Sequence, residues 1–408
     1  MNSFPCRSCG ASTEREVLDL GIQPLANNLL HPVDIGKPEP RFPLCVAVCT
    51  HCFLLQITET IPPVNLFSEY LYFSSFSDAL LAHASDAARR YQLDFQLGAK
   101  SWVVEIASND GYLLKNFVSA GIPCLGVEPA SNIAAVAVEK GVPTINRFFG
   151  ADLARELVDS HGRADLILGN NVFAHVHDTN GFVSGLATLL APSGRVVLEF
   201  PYACDLIEHL EFDTIYHEHI FYFTLTALIP LFERHGLEVV DVERIPIHGG
   251  SLRLTTAHAG AHTASARVQE LRTEELKKGV STTEYYEGFA DQVHQIRLEL
   301  KELVSRIRKS GKTLAAYGAS AKGSTLLNFY GLGLETIDFV ADRSTAKQGR
   351  LTPGTHIPIV PADELFKRNP DYALLLTWNF ATEILAQQTA FRNAGGRFIL
   401  PVPKVEII

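Results

Sequence analysis

The segment VVEIASNDG, residues 103–111, passes from a short apolar run into a polar loop that ends at Gly111. In a doubly wound α/β domain, the loop after the first strand brings backbone N–H groups and a helix N-terminus towards a ligand. Outward from this segment, apolar runs of strand length alternate with amphipathic stretches. Strands are predicted at residues 102–107, 124–128, 165–169 and 195–200, and helices at residues 113–120, 132–140 and 181–190. The alternation predicts a mostly parallel, doubly wound α/β sheet.

The bulk composition narrows the class of protein. The 408 residues exceed the length at which one hydrophobic core usually stops growing, so two or three domains are expected. Hydrophobic residues make up 47% and charged residues 20%, and the formal net charge of −10 gives no electrostatic footprint for nucleic acid. Because no apolar run approaches the ~18 residues of a membrane span and the first residues lack a signal peptide, a cytoplasmic protein is expected.

Four cysteines near the start form two CxxC pairs, Cys6 with Cys9 and Cys49 with Cys52. Each CxxC turn lets two sulfurs reach one ion, so two such turns complete a closed tetrahedral Zn²⁺ site. Four thiolates leave no open position for water, and the metal is therefore expected to be structural. Buried or redox-active cysteines are the alternative, although no thioredoxin-like strand precedes either pair. His51 is interpreted as a bystander.

Three domains are predicted from changes of pattern along the chain. Residues 1–68 are predicted to be a zinc-binding module whose small core depends on its metal. Residues 69–300 are predicted to be the central α/β domain, and residues 262–310 hold long helical periodicity and no strand candidate. Residues 301–408 are predicted to be a second, Rossmann-like α/β domain, in which a strand at residues 313–317 enters the loop GASAKG at residues 318–323.

The loop at residues 105–111 departs from the dinucleotide-binding fingerprint, because Gly111 is its one glycine. Its spacing instead suits the first motif of S-adenosylmethionine-dependent methyltransferases, with Ala107 and Asn109 at two of that motif's usual glycine positions. Glu128 follows the loop by roughly 20 residues, where an acid can accept hydrogen bonds from both ribose hydroxyls. Helix capping is the alternative role for these polar residues. The predicted cofactor-binding residues are Glu105, Ala107, Asn109, Gly111, Glu128, Pro129, Asn170 and Asn171.

Residues 212–223, with the sequence FDTIYHEHIFYF, pack ionisable side chains closely together. Histidine has an unperturbed pKa near ~6.5 and a neighbouring carboxylate can orient it, so these residues suit proton transfer. A polar patch in an aromatic-rich turn explains them equally well.

With these segments in order, the chain resembles the nucleotide-sugar C-methyltransferases of antibiotic deoxysugar pathways, the group that contains the tetronitrose, noviose and mycarose enzymes. The resemblance covers nearly the whole chain. It includes the four cysteines and residues 105–111, 171–175, 216–219, 247–250, 317–323 and 350–358. It implies a central S-adenosylmethionine-binding domain between the zinc module and the Rossmann-like C-terminal domain.

The resemblance also implies a reaction. In a dTDP-4-keto-6-deoxyhexose the carbonyl acidifies the proton at C3 or C5, and a base then forms an enolate that attacks the methyl group on sulfur. The implied base is His219, with Glu218 as its orienting partner or a substrate contact. Tyr216 and His175 are implied to stabilise the enolate oxygen. Tyr70 resembles the family's active-site tyrosine, and it could instead staple the zinc module to the central domain.

Two points stay open at this stage. The family often has Asp where this chain has His217, so His217 and His219 both remain candidates for the base. The choice between C3 and C5 is also undetermined.

The loop at residues 318–323 follows a strand and opens a helix, which is a geometry that offers N–H groups and a lysine to phosphates. Its spacing is not that of a P-loop. The resemblance implies that this unit grips the nucleotide diphosphate of the substrate. The implied substrate-binding residues are His248, Ser320, Lys322, Lys347 and Arg350. A unit that only buttresses the central domain is the alternative.

Two rival functions are weighed. A nicotinamide oxidoreductase would use the region around Gly318, and a zinc-ribbon binding module would call for a basic face that this acidic chain lacks. The expected partner is a dTDP-linked keto-deoxysugar, without nucleic acid or membrane. The oligomeric state is left open, with a monomer as the working expectation.

Overall fold

The computed structural model of the protein describes residues 3–67 and 72–408, without the side chain of His248. In the described chain the strands are β1 Phe4–Pro5, β2 Ser12–Thr13, β3 Arg15–Pro24, β4 Arg41–Val48, β5 Leu55–Ile57, β6 Val103–Ile106, β7 Cys124–Val127, β8 Thr144–Ile145, β9 Ala164–Asn170, β10 Leu190–Pro201, β11 Phe221–Tyr222, β12 Leu237–Ile245, β13 Ser251–His258, β14 Leu314–Tyr317, β15 Val340–Asp342, β16 Ile359–Pro361, β17 Tyr372–Leu375, β18 Arg397–Leu400 and β19 Glu406–Ile407. The helices are α1 Pro63–Phe67, α2 Asp78–Asp94, α3 Lys115–Ser119, α4 Ser131–Glu139, α5 Ala151–His161, α6 Thr179–Leu189, α7 Ala203–Glu208, α8 Leu225–Glu233, α9 Ala266–Lys278, α10 Phe289–Lys309, α11 Ala321–Tyr330, α12 Glu364–Arg368, α13 Ala381–Gln387 and α14 Thr389–Asn393.

The central sheet has the strand order β12-β13-β10-β9-β6-β7-β8. The strands from β10 to β8 are parallel, and β13 and β12 extend the sheet as an antiparallel edge. All four residues of β6 are buried, as expected of a parallel strand that helices cover on both faces. The predicted mostly parallel, doubly wound sheet is therefore confirmed. The antiparallel hairpin of β12 and β13 was not predicted.

The N-terminal sheet has the strand order β11-β5-β4-β3. Strand β11 comes from the middle of the chain, where Phe221 pairs with Gln56 and Tyr222 with Leu55. Leu55 and Phe221 also belong to one hydrophobic core that continues into the central domain. The N-terminal module is therefore completed by the segment that follows the predicted catalytic histidines.

The C-terminal sheet has the strand order β16-β15-β14-β17-β18-β19, with parallel pairing from β16 to β18. Helices α9 and α10 occupy most of residues 262–310, and this fully described stretch holds no strand, as predicted. Helix α10 buries residues Val293, Ile296, Leu300, Val304 and Ile307 along one side. Among the described residues, no helix has both the length and the apolar character that a bilayer span requires.

Candidate active site

A cavity of about 670 Å³ lies at the carboxyl ends of β6, β7 and β9, where all three modules meet. In doubly wound sheets this edge is where ligands bind. Most of the predicted site residues line this one cavity. They are Ala107, Asn109, Glu128, Pro129, Asn170, Asn171, His175, Tyr216, His219, Ser320, Lys322 and Lys347.

The loop after β6 has the left-handed backbone conformation of a glycine-rich loop, although residues other than glycine occupy two of its positions. Ala107 and Asn109 have φ values of 54° and 50°, in the left-handed region that costs a non-glycine residue about 1–2 kcal/mol. Gly111 has a φ of 77°, and a Cβ there would lie 2.8 Å from the Cγ2 atom of Val142. The substituted positions of the motif thus keep the conformation that the motif's glycines would take.

Glu128 is held in place at the end of β7. Its Oε2 accepts a hydrogen bond from the N–H of Asn109 at 2.9 Å, and its Oε1 accepts one from the N–H of Ala130 at 2.8 Å. Burial raises the pKa of this carboxyl, and the two N–H groups partly offset that effect. Each carboxylate oxygen has two acceptor sites, so both oxygens keep capacity for the hydroxyls of a ribose.

Glu105 lies beneath the loop and is not among the described residues that line the cavity. It belongs to β6 and is fully buried. Burial, together with the negative charges of Glu128 and Asp110, raises the pKa of Glu105 well above its ordinary value. This concentration of acids suits a cationic ligand, and the residues present therefore fit a donor with a positively charged sulfur.

Tyr216 and His219 form a hydrogen-bonded pair that lines the cavity. The Nδ1 atom of His219 lies 2.9 Å from the backbone oxygen of Thr214, and because a carbonyl only accepts, Nδ1 carries the proton. Nε2 of the neutral ring then accepts a hydrogen bond from the Tyr216 hydroxyl at 2.8 Å. Burial raises the pKa of Tyr216 well above its ordinary value, which keeps the phenol protonated. The pair places Nε2 of an imidazole at the cavity, with its lone pair engaged by the Tyr216 hydroxyl.

His175 stands edge-on to His219, with 4.8 Å between the ring centroids. Burial lowers the pKa of His175 to about 4, so its ring is neutral at physiological pH. His217 is not among the described residues that line the cavity; its Nε2 instead donates to the backbone oxygen of Pro43 at 3.1 Å. Of the two candidate bases, the geometry brings His219 to the cavity.

Glu218 is buried, and its two carboxylate oxygens lie 2.8 Å and 3.0 Å from the Nδ2 atom of Asn27. The carbonyl of Thr214 therefore orients His219 through Nδ1, while Glu218 bonds to the N-terminal module. Sequence reasoning missed Asn27, which also lines the cavity. The available signal was the polar pair Asn27 and Asn28 within the apolar stretch PLANNLL.

Two lysines of the C-terminal domain reach the same cavity, Lys322 at the start of α11 and Lys347 in the segment after β15. Ser320 caps α11, where its Oγ accepts from the N–H of Gly323 at 3.0 Å. Nζ of Lys322 lies 5.2 Å from the ring centroid of Trp378, and Nζ of Lys347 donates to the backbone oxygen of Ala319 at 2.8 Å. Trp378 was not predicted as part of the site.

Among the described residues, four predicted site residues do not line the cavity: Glu105, Gly111, Glu218 and Arg350. The Nη1 atom of Arg350 lies 3.4 Å from the backbone oxygen of Leu29. Tyr70 falls outside the described residues, and so does the side chain of His248.

The four cysteines of the CxxC pairs come together as predicted. Their sulfur atoms all lie within 4.8 Å of one another, with 3.6 Å between Cys6 and Cys52 and between Cys9 and Cys49. A tetrahedron with Zn–S bonds of about 2.3 Å has sulfurs about 3.8 Å apart, so the donor set fits Zn²⁺. Gln56 adds an amide hydrogen bond to the Cys6 sulfur at 3.2 Å, as outer-shell groups of metal sites commonly do.

Family models match the chain in three consecutive blocks. Residues 6–67 match a putative zinc binding domain, residues 81–242 a methyltransferase domain, and residues 246–403 a C-methyltransferase C-terminal domain. C-methyltransferase NovU of Streptomyces niveus is 40% identical over 404 residues, which span 99% of this chain and 96% of that protein. The ubiquinone biosynthesis O-methyltransferase of Bradyrhizobium sp. (strain ORS 278) is 33% identical over 29% of this chain and 48% of its own length.

Solved structures match the chain in part. Magnesium protoporphyrin IX methyltransferase (ChlM) from Synechocystis PCC 6803 with bound SAM aligns with 44% of this chain and 79% of its own, at 13% identity and a TM-score of 0.34. An S-adenosylmethionine-dependent methyltransferase from Clostridium acetobutylicum ATCC 824 aligns with 43% of this chain and 91% of its own, at 11% identity and a TM-score of 0.36.

Proposed function

The chain belongs to the family of S-adenosylmethionine-dependent C-methyltransferases with an N-terminal zinc site, and we propose that its acceptor is a dTDP-linked 4-keto-deoxysugar. The oxidoreductase and zinc-ribbon alternatives give way to this family assignment. Within the proposal, the predicted domains at residues 1–68, 69–300 and 301–408 act as zinc module, donor-binding domain and nucleotide-binding domain.

One observation carries the proposal: a single cavity is lined by an acid-bearing loop, by a neutral Tyr216–His219 pair and by two lysines from the C-terminal domain. The lysines Lys322 and Lys347 suit a diphosphate, because ammonium groups pair with phosphate oxygens. The Tyr216–His219 pair suits proton abstraction beside a ketone. A nucleotide-linked ketone is the substrate class that uses both features at once.

As the sugar binds, the Tyr216 hydroxyl turns from Nε2 of His219 to the carbonyl oxygen of the sugar. The lone pair of Nε2 is then free, and His219 acts as the general base by accepting the proton from C3 or C5 of the sugar. The carbonyl oxygen gains negative charge as the enolate forms, and the hydroxyl of Tyr216 and the neutral ring of His175 stabilise it by donating hydrogen bonds. The carbonyl of Thr214 holds the proton of Nδ1 and so keeps Nε2 as the acceptor. Bound S-adenosylmethionine supplies an electrophilic methyl group for the enolate carbon. The products are a C-methylated keto sugar and S-adenosylhomocysteine.

Solvent-deuterium exchange tests this function. The purified protein is incubated in D₂O with a dTDP-4-keto-6-deoxyhexose, without and with S-adenosylmethionine, and the sugar is analysed by mass spectrometry and NMR. We expect deuterium at one carbon beside the ketone without the donor, and a methyl group at that carbon with it. A sugar recovered without either change would contradict the proposed acceptor.

Two matched variants separate the candidate bases. His219→Asn is expected to lower kcat by at least ~100-fold and to leave the Kd for S-adenosylmethionine within twofold, since a general base contributes about 10²–10⁴-fold. His217→Asn is the comparison variant, because its ring lies outside the cavity and bonds to Pro43. We expect it to lower kcat less than His219→Asn does, since it loses a contact that holds the segment and not the base. The reverse pattern would assign the base to His217.

A further inference from the structure

Asn27 belongs to the N-terminal module, on the loop between β3 and β4, and it also lines the cavity with Tyr216 and His219. Its Nδ2 donates to both oxygens of Glu218, at 2.8 Å and 3.0 Å. The Glu218 side chain is 3% exposed, so this donor meets a carboxylate shielded from water. Hydrogen bonds to ionised acceptors are about twice as strong as neutral ones. The bond joins two residues 191 positions apart.

Other contacts from the N-terminal module hold residues 217–222, the segment that contains Glu218 and His219. The N–H of Ile57 donates to the backbone oxygen of Ile220 at 2.9 Å, and His217 donates to the backbone oxygen of Pro43 at 3.1 Å. Strand β5 pairs with β11 immediately after. The residues on both sides of His219 are thus bound to the N-terminal module, and Asn27 adds a side-chain contact to Glu218 at the cavity.

We propose that Asn27 is a positioning residue for the catalytic segment, an inference that rests on the proposed function. By fixing the Glu218 carboxylate, Asn27 fixes the peptide that links Glu218 to His219. The two hydrogen bonds of His219, to Thr214 and Tyr216, both depend on that placement. A misplacement of about 1 Å at a reacting group costs up to about 100-fold in rate. The N-terminal module therefore takes part in setting the direction of Nε2.

The test uses Asn27→Asp, which keeps the shape of the side chain and replaces the donor by a carboxylate. Two carboxylates this close cannot both ionise easily, so the pKa of the pair rises and a shared proton restores the bond at low pH. We expect kcat to fall about 10- to 100-fold near about pH 8, with the deficit relative to wild type shrinking towards about pH 6. The Kd for S-adenosylmethionine and the KM for the sugar should stay within twofold.

Asn28→Asp is the matched control, because it makes the same chemical change at the neighbouring, exposed position and should match wild type at each pH. In the double variant Asn27→Asp with Glu218→Gln, the side chain at position 218 becomes the donor and the carboxylate at position 27 becomes the acceptor. We expect it to lose the acidic rescue of the single variant, since the pair then holds one carboxylate.

A second readout does not depend on turnover. The imidazole ¹⁵N signals of His219 report the tautomer with the proton on Nδ1, and we expect them to shift in Asn27→Asp and to return towards wild type at low pH. Unchanged His219 signals, or a loss of kcat that is equal at each pH, would overturn the positioning role. Absence of wild-type turnover on the keto sugar would contradict the proposed function instead, and the His219 signals would still decide the role of Asn27.

Discussion

The loop after β6 and the loop after β14 are built alike. Each follows the first strand of a parallel sheet, and each is tied to an acid at the end of the neighbouring strand. The N–H of Asn109 donates to Glu128 at 2.9 Å in the first loop, and the N–H of Ala319 donates to Asp342 at 2.7 Å in the second. Both loops face the same cavity.

The two loops differ in charge. The first has Glu105, Asp110 and Glu128 around it. Burial and the charges of Glu128 and Asp110 raise the pKa of Glu105, and Lys140 pairs with Asp110 at 2.7 Å. Beside the second, Lys322 at the start of α11 and Lys347 after β15 reach the cavity, and Lys347 donates to the backbone oxygen of Ala319 in that loop at 2.8 Å. The same backbone scaffold therefore presents acids at one loop and ammonium groups at the other, and under the proposed function we expect these charges, rather than the fold, to decide which ligand each loop binds.

The largest effect is expected from removing Glu128, the acid at the end of β7 to which the first loop is hydrogen-bonded. Glu128→Ala is expected to weaken S-adenosylmethionine binding by about 100-fold, because a charged acceptor bonded to a ligand contributes about 1.5–3 kcal/mol. Calorimetry measures the change, and Asp342→Ala serves as the matched variant of the second loop. Equal losses of donor affinity in both variants would show that the loops are not specialised by ligand.

Removing the two cations beside the second loop is the next test. Lys322→Met and Lys347→Met are each expected to raise the Kd for dTDP by about tenfold, since each removes one charge-assisted contact to phosphate. Donor affinity should change less than twofold. Added salt should weaken dTDP binding to wild type more than to either variant, because exposed ion pairs are screened. A dTDP affinity that is unchanged in both variants would place the nucleotide elsewhere.

These contrasts could be predicted only in part from the sequence. Glu128 was predicted because a short apolar strand and an acid at its end form a local pattern. Asn27 could not be, because its partner is 191 residues away and no local pattern reports such a contact. The antiparallel edge of β12 and β13 was missed because charged residues such as Glu243 interrupt its apolar run. The contact of the Arg350 guanidinium with the backbone oxygen of Leu29 was likewise out of reach, because the family resemblance implied a substrate-binding role for Arg350 and the two residues are 321 positions apart.

The raised pKa values in the first loop predict a pH-dependent affinity for the donor. A cation in the cavity favours the ionised acids, so binding lowers the pKa of Glu105 and Glu128 and releases protons. Affinity for S-adenosylmethionine should therefore rise as the pH rises from the ordinary glutamate value of 4.5 towards the raised values. Stability of the free protein should fall over the same range, because the folded state binds more protons than the unfolded state.

Calorimetry in buffers of different ionisation enthalpy measures this proton release. S-adenosylhomocysteine is the control ligand, since its sulfur is uncharged, and its affinity should change less with pH. Equal proton release with both ligands would mean that the acids respond to burial by any ligand rather than to positive charge.

The smallest effect on donor affinity is expected from placing a glycine at Asn109, one of the substituted positions of the first loop. Asn109→Gly relieves a left-handed backbone that costs about 1–2 kcal/mol, and it removes two hydrogen bonds worth about 0.5–1.5 kcal/mol each. Those bonds join the Asn109 amide to the N–H of Ser74 and to the backbone oxygen of Tyr72. Because the gains and losses nearly cancel, donor affinity should change less than about threefold, while amide exchange at Ser74 should become faster. A loss as large as that of Glu128→Ala would instead show that the loop binds its donor through the Asn109 contacts to residues 72–74, and the contrast of charge between the two loops would no longer explain their ligands.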